Sequence, residues 1–257
     1  MSVGQQTFRS TLVHFGYTYL MIVHQFDPAR GVYEFQFEGL ETELHSHPAI
    51  EVLFDASGNM QFSNGHTTYD HVSLLVIDAN VLHRVLAPGS NVQVTMIEHR
   101  EMHAKRVLST LDITLKDGVF LSMKDQSSHN DFHALKARLA AVESMSAYDE
   151  RVRKVLIYLR QQAVSYDVML NELTDLVHLS ASRISHLFKE NTGISLKKYL
   201  LWCKLRNTIA AHLDTEEDLF ASLIKSGFYD QPHFSRAFKT MLGVNPVKAY
   251  NSRTVQL

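Results

Sequence analysis

Four side chains in the first hundred residues have the types and spacing to hold a metal ion. His45 and His47 flank Ser46, and on a strand positions i and i+2 project to the same face, so the two imidazoles converge. Glu51 keeps the same parity, and His83 arrives from a later strand within Asp78-Ala79-Asn80-Val81-Leu82-His83. Three imidazoles and one carboxylate suit a borderline divalent ion such as Zn, Ni, Fe or Mn. The same groups could instead contact a small polar effector, or one another, with no metal. The remaining histidines considered (His14, His24, His66, His71, His99 and His103) show no comparable spacing and read as scattered surface or core residues.

A second set of residues could meet a polyanion. Leu170, Leu173, Leu176 and Val177 form a helical apolar pattern, followed by the short turn His178-Leu179-Ser180. A second helix then runs from Ala181 to about Asn191, with Ile184, Leu187 and Phe188 inward. That leaves Ser182, Arg183, Ser185, His186 and Lys189 on its other face. Two short helices joined by a tight turn, the second capped by Ser180, make the helix-turn-helix pattern. The pattern recurs. Leu219, Phe220, Leu223 and Ile224 mark a helix closed by Ser226-Gly227, and Asp230-Gln231-Pro232 opens another. Proline suits a first turn, where its missing N–H had no intrahelical partner. Phe234, Ala237, Phe238 and Leu242 face inward there, and His233, Ser235, Arg236 and Lys239 outward. Between the pairs, Leu196 to Leu213 predicts a connector helix about 27 Å long, comparable with the ~34 Å between successive major grooves on one face of B-DNA. Gly193, Gly227 and Gly243 sit past helix ends and are expected to take positive φ.

The elements that position these groups fall into two kinds. From residue 17 to about 100, short segments rich in β-branched and aromatic residues (Tyr19–Val23, Val32–Phe37, Ile50–Phe54, Val72–Ile77, Val92–Glu98) alternate with turn signals. Those signals include Pro28-Ala29-Arg30-Gly31, Ser57-Gly58-Asn59, Ser63-Asn64-Gly65 and Pro88-Gly89-Ser90. This predicts a barrel or sandwich. After residue 130 the period becomes helical. Phe132, Leu135, Leu139 and Val142 fall at a/d spacing behind an Asn130 or Asp131 cap, which fits a helix packed on the barrel or a dimer seam. A further helix, Asp149 to about Gln162, carries Val152, Val155, Leu156 and Leu159 on one face. The expected fold class is α+β in two domains: a barrel over 1–130, a helical linker over 131–148, and an all-α domain over 149–257.

Charge divides at the same place. The chain of 257 residues has a net charge of −2, but residues 1–147 hold 10 Lys+Arg against 16 Asp+Glu, and residues 148–257 hold 15 against 11. An acidic front and a basic back point to different partners. The single cysteine, Cys203, excludes an intramolecular disulfide framework and a cysteine-rich zinc site, and reads as a buried, inert thiol. No secretory signal and no run approaching ~18 apolar residues is visible, so a soluble, cytoplasmic protein is expected.

The C-terminal residues resemble the AraC/XylS family of bacterial transcription regulators over roughly 150–252. The resemblance rests on Phe188-Lys189-Glu190-Asn191-Thr192-Gly193, Gly227-Phe228, and Phe234-Ser235-Arg236-Ala237-Phe238-Lys239, continuing to Gly243, Pro246 and Tyr250. It departs at Lys204-Leu205-x-x-Thr208, where the family usually has Arg-Leu-x-x-Ala, and at Ser222-Leu223 in place of Ile-Ala. The resemblance implies double-stranded promoter DNA as partner, with Ser182, Ser185 and His186 of one reading helix, and Gln231, His233, Ser235 and Arg236 of the other, at base edges. Arg183 and Lys189 fit phosphate contacts, which position without specifying sequence. Upstream, Gly39, His45-x-His47, Glu51 and Gly58 stand at the spacing of the first cupin motif, and His83 occupies the histidine of the second, whose usual proline and glycine are Asp78 and Asn80 here. Together the resemblances imply a one-component regulator, a homodimer, whose cupin barrel senses a small molecule or metal. The competing class is a metal-dependent cupin dioxygenase or isomerase, although no further general acid or base is placed by motif.

Overall fold

The computed structural model describes residues 11–15, 19–98, 108–109, 111–124, 126, 129–141, 148–161, 166–214 and 219–244. His99, His103, Pro246, Tyr250 and residues 142–147 of the expected linker, Val142 among them, lie outside these residues.

Among the described residues, eight antiparallel strands build the N-terminal part: β1 (Thr11–Phe15), β2 (Tyr19–Asp27), β3 (Val32–Glu41), β4 (Ala49–Asp55), β5 (Met60–Ser63), β6 (Thr68–Ile77), β7 (Arg84–Glu98) and β8 (Val119–Met123). Their order is β1-β2-β3-β7-β4-β6-β5, and β5 also returns to β7, so the sheet rolls into the expected cupin-type barrel; β8 joins β6. One turn signal misled. Pro88-Gly89-Ser90 does not end a strand but lies inside the fifteen-residue β7. Gly89 takes φ +70 there, and opposite it the β3–β7 register shifts between Glu38 and Leu40. Glycine in a strand interior often marks such a bulge.

Strand β4 is buried along its whole length because both faces are covered. Glu51 and Leu53 face the barrel interior. Ile50, Val52 and Phe54 pack outward with Phe132, Leu135 and Leu139 of helix α1 (His129–Ala140). The a/d stripe of α1 is therefore used within the chain, with Phe132 and Phe54 rings stacked at 5.6 Å. A dimer seam through Phe132, Leu135 and Leu139 is excluded in this arrangement. Helix α1 also begins at His129, placing Asp131 in its first turn rather than at the cap.

The helical part comprises α2 (Glu150–Gln161), α3 (Tyr166–Val177), α4 (Ala181–Thr192), α5 (Leu196–Asp214), α6 (Leu219–Lys225) and α7 (Gln231–Leu242). Helices α4 and α7 have the expected ends. Ser180 caps α4 by accepting the Arg183 N–H, and Asp230 caps α7 by accepting the His233 N–H at 2.6 Å. Gly193 and Gly243 close them at φ +73 and +70. The connector α5 has nineteen residues, about 28 Å. It is buried on several sides: Tyr199, Trp202 and Arg206 point to the barrel, while Leu200, Cys203 and Leu205 join the helical core. A single apolar core runs from Val23 and Leu53 in the barrel to Leu223 and Phe234 in the helices. Among the described residues no helix is long and apolar enough to cross a membrane.

Candidate metal centre and nucleic-acid interface

The four expected ligands meet, though not by strand alternation. His45 and His47 lie in the loop between β3 and β4. His45 forms an isolated bridge with His83, each N–H donating to the other's carbonyl at 2.9 Å. Asn80 holds the other side, its N–H donating to the His47 carbonyl at 2.8 Å. Asn80 takes φ +65, a region that asparagine tolerates.

Each ring is oriented by its own backbone. His45 Nδ1 donates to the Glu43 carbonyl (2.8 Å), His47 Nδ1 to Ala49 (3.1 Å) and His83 Nδ1 to Val81 (2.9 Å). This is the outer-shell arrangement usual for metal-binding histidines, and it leaves the three Nε2 atoms as acceptors. The three histidines are buried and can offer ligand atoms within 4.8 Å of one another. Glu51 Oε2 lies 3.5 Å from His47 Nε2 and 3.1 Å from His83 Nε2. These three atoms are buried without a hydrogen-bond partner. Burial, with the neighbouring His83 and His47, lowers His45 from its ordinary 6.5 to about 3, and burial also lowers His47. A carboxylate facing ring lone pairs in a dry site calls for a cation between them, so the donor set fits a divalent ion.

The barrel mouth opens into a cavity with about 1040 Å³ of empty space, its opening to solvent included. His45, His47 and Glu51 line it from the barrel. The opposite wall is Ile209 and Leu213 of α5, Leu219 of α6, and Phe234, Phe238 and Leu242 of α7. The second helix-turn-helix unit thus closes the barrel. Gly243, which closes α7, is seated closely: its carbonyl accepts the Glu43 N–H at 2.7 Å, and a Cβ on Gly243 would come 2.5 Å from His45 Nδ1.

A buried cluster that the sequence reading missed joins the same two parts. Glu98 Oε1, at the end of β7, accepts from Tyr33 Oη (2.5 Å), Arg206 Nη1 (2.5 Å) and Trp202 Nε1 (3.1 Å). Glu98 and Arg206 are each 1% exposed. Burial, then the Glu98 charge, pushes Tyr33 well above its ordinary range, so it remains a donor. Trp202 also stacks on His47, ring centroids 6.1 Å apart. A signal was present: Tyr199, Trp202 and Arg206 share one helical face, an arginine at a core position.

The polar faces of α4 and α7 look outward. Ser182, Arg183, His186 and Lys189 of α4 are exposed, and Ser185 is half-buried, its hydroxyl donating to the Ala181 carbonyl. On α7, Gln231, Arg236 and Lys239 are exposed, while His233 and Ser235 are half-buried. Lys239 pairs with Glu43 of the barrel at 2.7 Å. The departures at Thr208 and Ser222 are buried packing positions, and Lys204 reaches across to donate to the Gly227 carbonyl at 3.0 Å, steadying the second turn.

The barrel is closed by two helix-turn-helix units on a shared helix, and residues 173–251 match the family model described as a helix-turn-helix domain. More particularly, the chain is 34% identical over 101 residues to the arabinose operon regulatory protein of Escherichia coli (strain K12), covering 38% of this chain and 34% of that one. It is 29% identical over 151 residues to the probable transcriptional regulator LumQ of Photobacterium leiognathi, covering 56% and 58%. The chain thus spans less than two thirds of either relative. The whole fold is similar to ToxT from Vibrio cholerae, with TM-score 0.53 and 13% identity over 91% of this chain and 100% of that one.

Proposed function

We propose that this chain is a non-enzymatic, sequence-specific regulator of transcription that binds double-stranded promoter DNA in the cytoplasm through α4 and α7. The observation that carries this reading is the duplication: two capped reading helices with polar and basic outer faces, joined by one stiff helix of about 28 Å. Ser182, Ser185, His186, Gln231, His233, Ser235 and Arg236 read base edges, and Arg183, Lys189 and Lys239 meet phosphates. A gel-shift screen of upstream fragments tests it. Retardation that unlabelled cognate DNA competes away is expected, and Arg236→Ala should weaken binding by about 1–3 kcal/mol while relaxing preference at one position. No competable retardation would refute it.

The barrel is the sensing part. His45, His47, Glu51 and His83 would hold a divalent ion (Zn, Ni, Fe or Mn), a reading favoured by the orphaned Nε2 and Oε2 atoms. Such an ion would supply a fixed positive charge where Glu51 faces His47 and His83. The purified protein should carry metal by elemental analysis, and His45→Ala/His47→Ala should not. A homodimer would use a surface other than the Phe132–Leu139 stripe. Sedimentation over a concentration series reads that state.

A further inference from the structure

A second group of imidazoles meets on the outside of the barrel. His129 and His133 stand at i, i+4 on α1, so their side chains share one face of the helix. Their Nε2 atoms are 3.1 Å apart and their rings nearly perpendicular, at 75°. Gln93 of β7 reaches the same point, its side-chain amide 2.9 Å from His129 Nε2. Two polar groups, one from the helix and one from the strand, thus converge on one ring nitrogen. That nitrogen has either one in-plane lone pair or one hydrogen, so it cannot make two good hydrogen bonds at once. The conflict persists whichever tautomer His129 takes and whichever way the Gln93 amide is turned. A cation removes it, because both Nε2 lone pairs and the Gln93 Oε1 can face the same positive centre.

We propose that His129, His133 and Gln93 form a surface metal site, separate from the barrel centre, that takes an imidazole-preferring divalent ion (Cu, Ni or Zn) and clasps α1 to β7. Ligand atoms held ~2.0–2.1 Å from one ion stand about 2.8–3.4 Å apart at angles from square to tetrahedral, and both contacts here fall in that range. Phe54, the register partner of Gln93 on β4, packs edge-on against the His129 ring at 5.6 Å and helps to hold it in place. Both histidines are exposed and Gln93 is half-buried, so an ion enters from solvent. The neighbouring charges tolerate one: Lys136 is paired with Glu34 at 2.8 Å, and Asp131 brings a negative charge to the first turn of α1. Desolvation, then His129 and Lys136, lowers His133 from its ordinary value, which keeps its lone pair free. The clasp would add a polar tie to the apolar seam of Phe132, Leu135 and Leu139 on β4.

The test titrates Ni²⁺ into the full chain, free of any affinity tag, by isothermal titration calorimetry. The unaltered chain should bind about one equivalent more than His129→Ala or His133→Ala, in which this site weakens by at least about tenfold. Both positions are exposed, and unchanged circular dichroism spectra confirm that the variants fold. Gln93→Glu, which offers a charged oxygen, should tighten the site, and Gln93→Ala should weaken it. His66→Ala, an exposed histidine between β5 and β6, should leave it unchanged. Ni²⁺ should also slow hydrogen exchange of the α1 amides in the unaltered chain and not in His133→Ala. The barrel ligands are intact in all these variants, so the difference reads the surface site alone, and His45→Ala/His47→Ala should keep the α1-dependent equivalent. Equal stoichiometry in the unaltered chain, His129→Ala and His133→Ala would overturn the proposal. So would weaker binding by Gln93→Glu than by Gln93→Ala, or an equal loss in His66→Ala.

Discussion

Replacing Glu98 with Ala should loosen the seam between barrel and connector helix. The substitution leaves the Arg206 guanidinium buried at 1% exposure with its ion pair gone, when Nε and Nη2 already lack partners. Breaking a buried pair by removing one member costs about 3–5 kcal/mol. The Tyr33 hydroxyl and the Trp202 indole lose the same acceptor, each costing about 1 kcal/mol or more. A loss of about 5 kcal/mol is comparable with the entire stability of many domains, about 5–15 kcal/mol, so the interface should open before the parts unfold. The chain reports this itself, because Trp202 is its one tryptophan and lies in the seam. Emission should move to longer wavelength, and the first urea transition by fluorescence should come earlier. Glu98→Leu combined with Arg206→Met should recover much of the loss, since apolar residues of similar volume often replace such pairs without penalty. Unchanged emission and an unchanged midpoint in the Glu98→Ala protein would refute the reasoning.

Asp230→Ala removes the cap of α7 and should cost about 1 kcal/mol, measured by thermal denaturation, with Ser180→Ala costing no more because its capping contact is longer, 3.4 Å against 2.6 Å. His45 titrates near 3 when folded and near 6.5 when exposed, so the unfolded chain binds the extra proton between those values; metal-free protein should lose stability as pH falls through that window, and His45→Gln should flatten the slope in urea titrations. Gly243→Ala combines φ +70 with a Cβ 2.5 Å from His45 Nδ1. The backbone alone should cost about 1–2 kcal/mol, and weaker metal retention against a chelator would show that the closure reaches His45.

Local signals carried much of this architecture. The apolar stripe of α7, its Asp230 cap, Pro232 and Gly243 all act within one helix, so the string of residues specifies the element. The same holds for β4, whose β-branched and aromatic run is buried on both faces. The convergence of His45, His47, Glu51 and His83 was legible from spacing, although a cross-chain bridge rather than strand alternation brings His45 and His83 together. What stayed hidden depends on distant partners. Whether Phe132, Leu135 and Leu139 meet a barrel or a second copy is decided by Ile50, Val52 and Phe54, some eighty residues earlier. Glu98 and Arg206 become a pair only when α5 docks, and no periodicity encodes docking between two parts. The Pro88-Gly89 signal failed because a bulge and a turn ask the same of glycine.

The many-sided burial of α5 bears on any attempt to study the C-terminal part by itself. A truncated version starting near residue 148 would keep both reading units but lay bare Tyr199, Trp202 and a desolvated arginine along one flank. Such an excised piece is a candidate for clumping at the concentrations used in crystallisation or NMR, for reasons unrelated to its grip on nucleic acid. Converting Trp202 to glutamine and Tyr199 to lysine would give that flank a solvent-compatible skin while leaving Leu200, Cys203 and Leu205 to fill the interior.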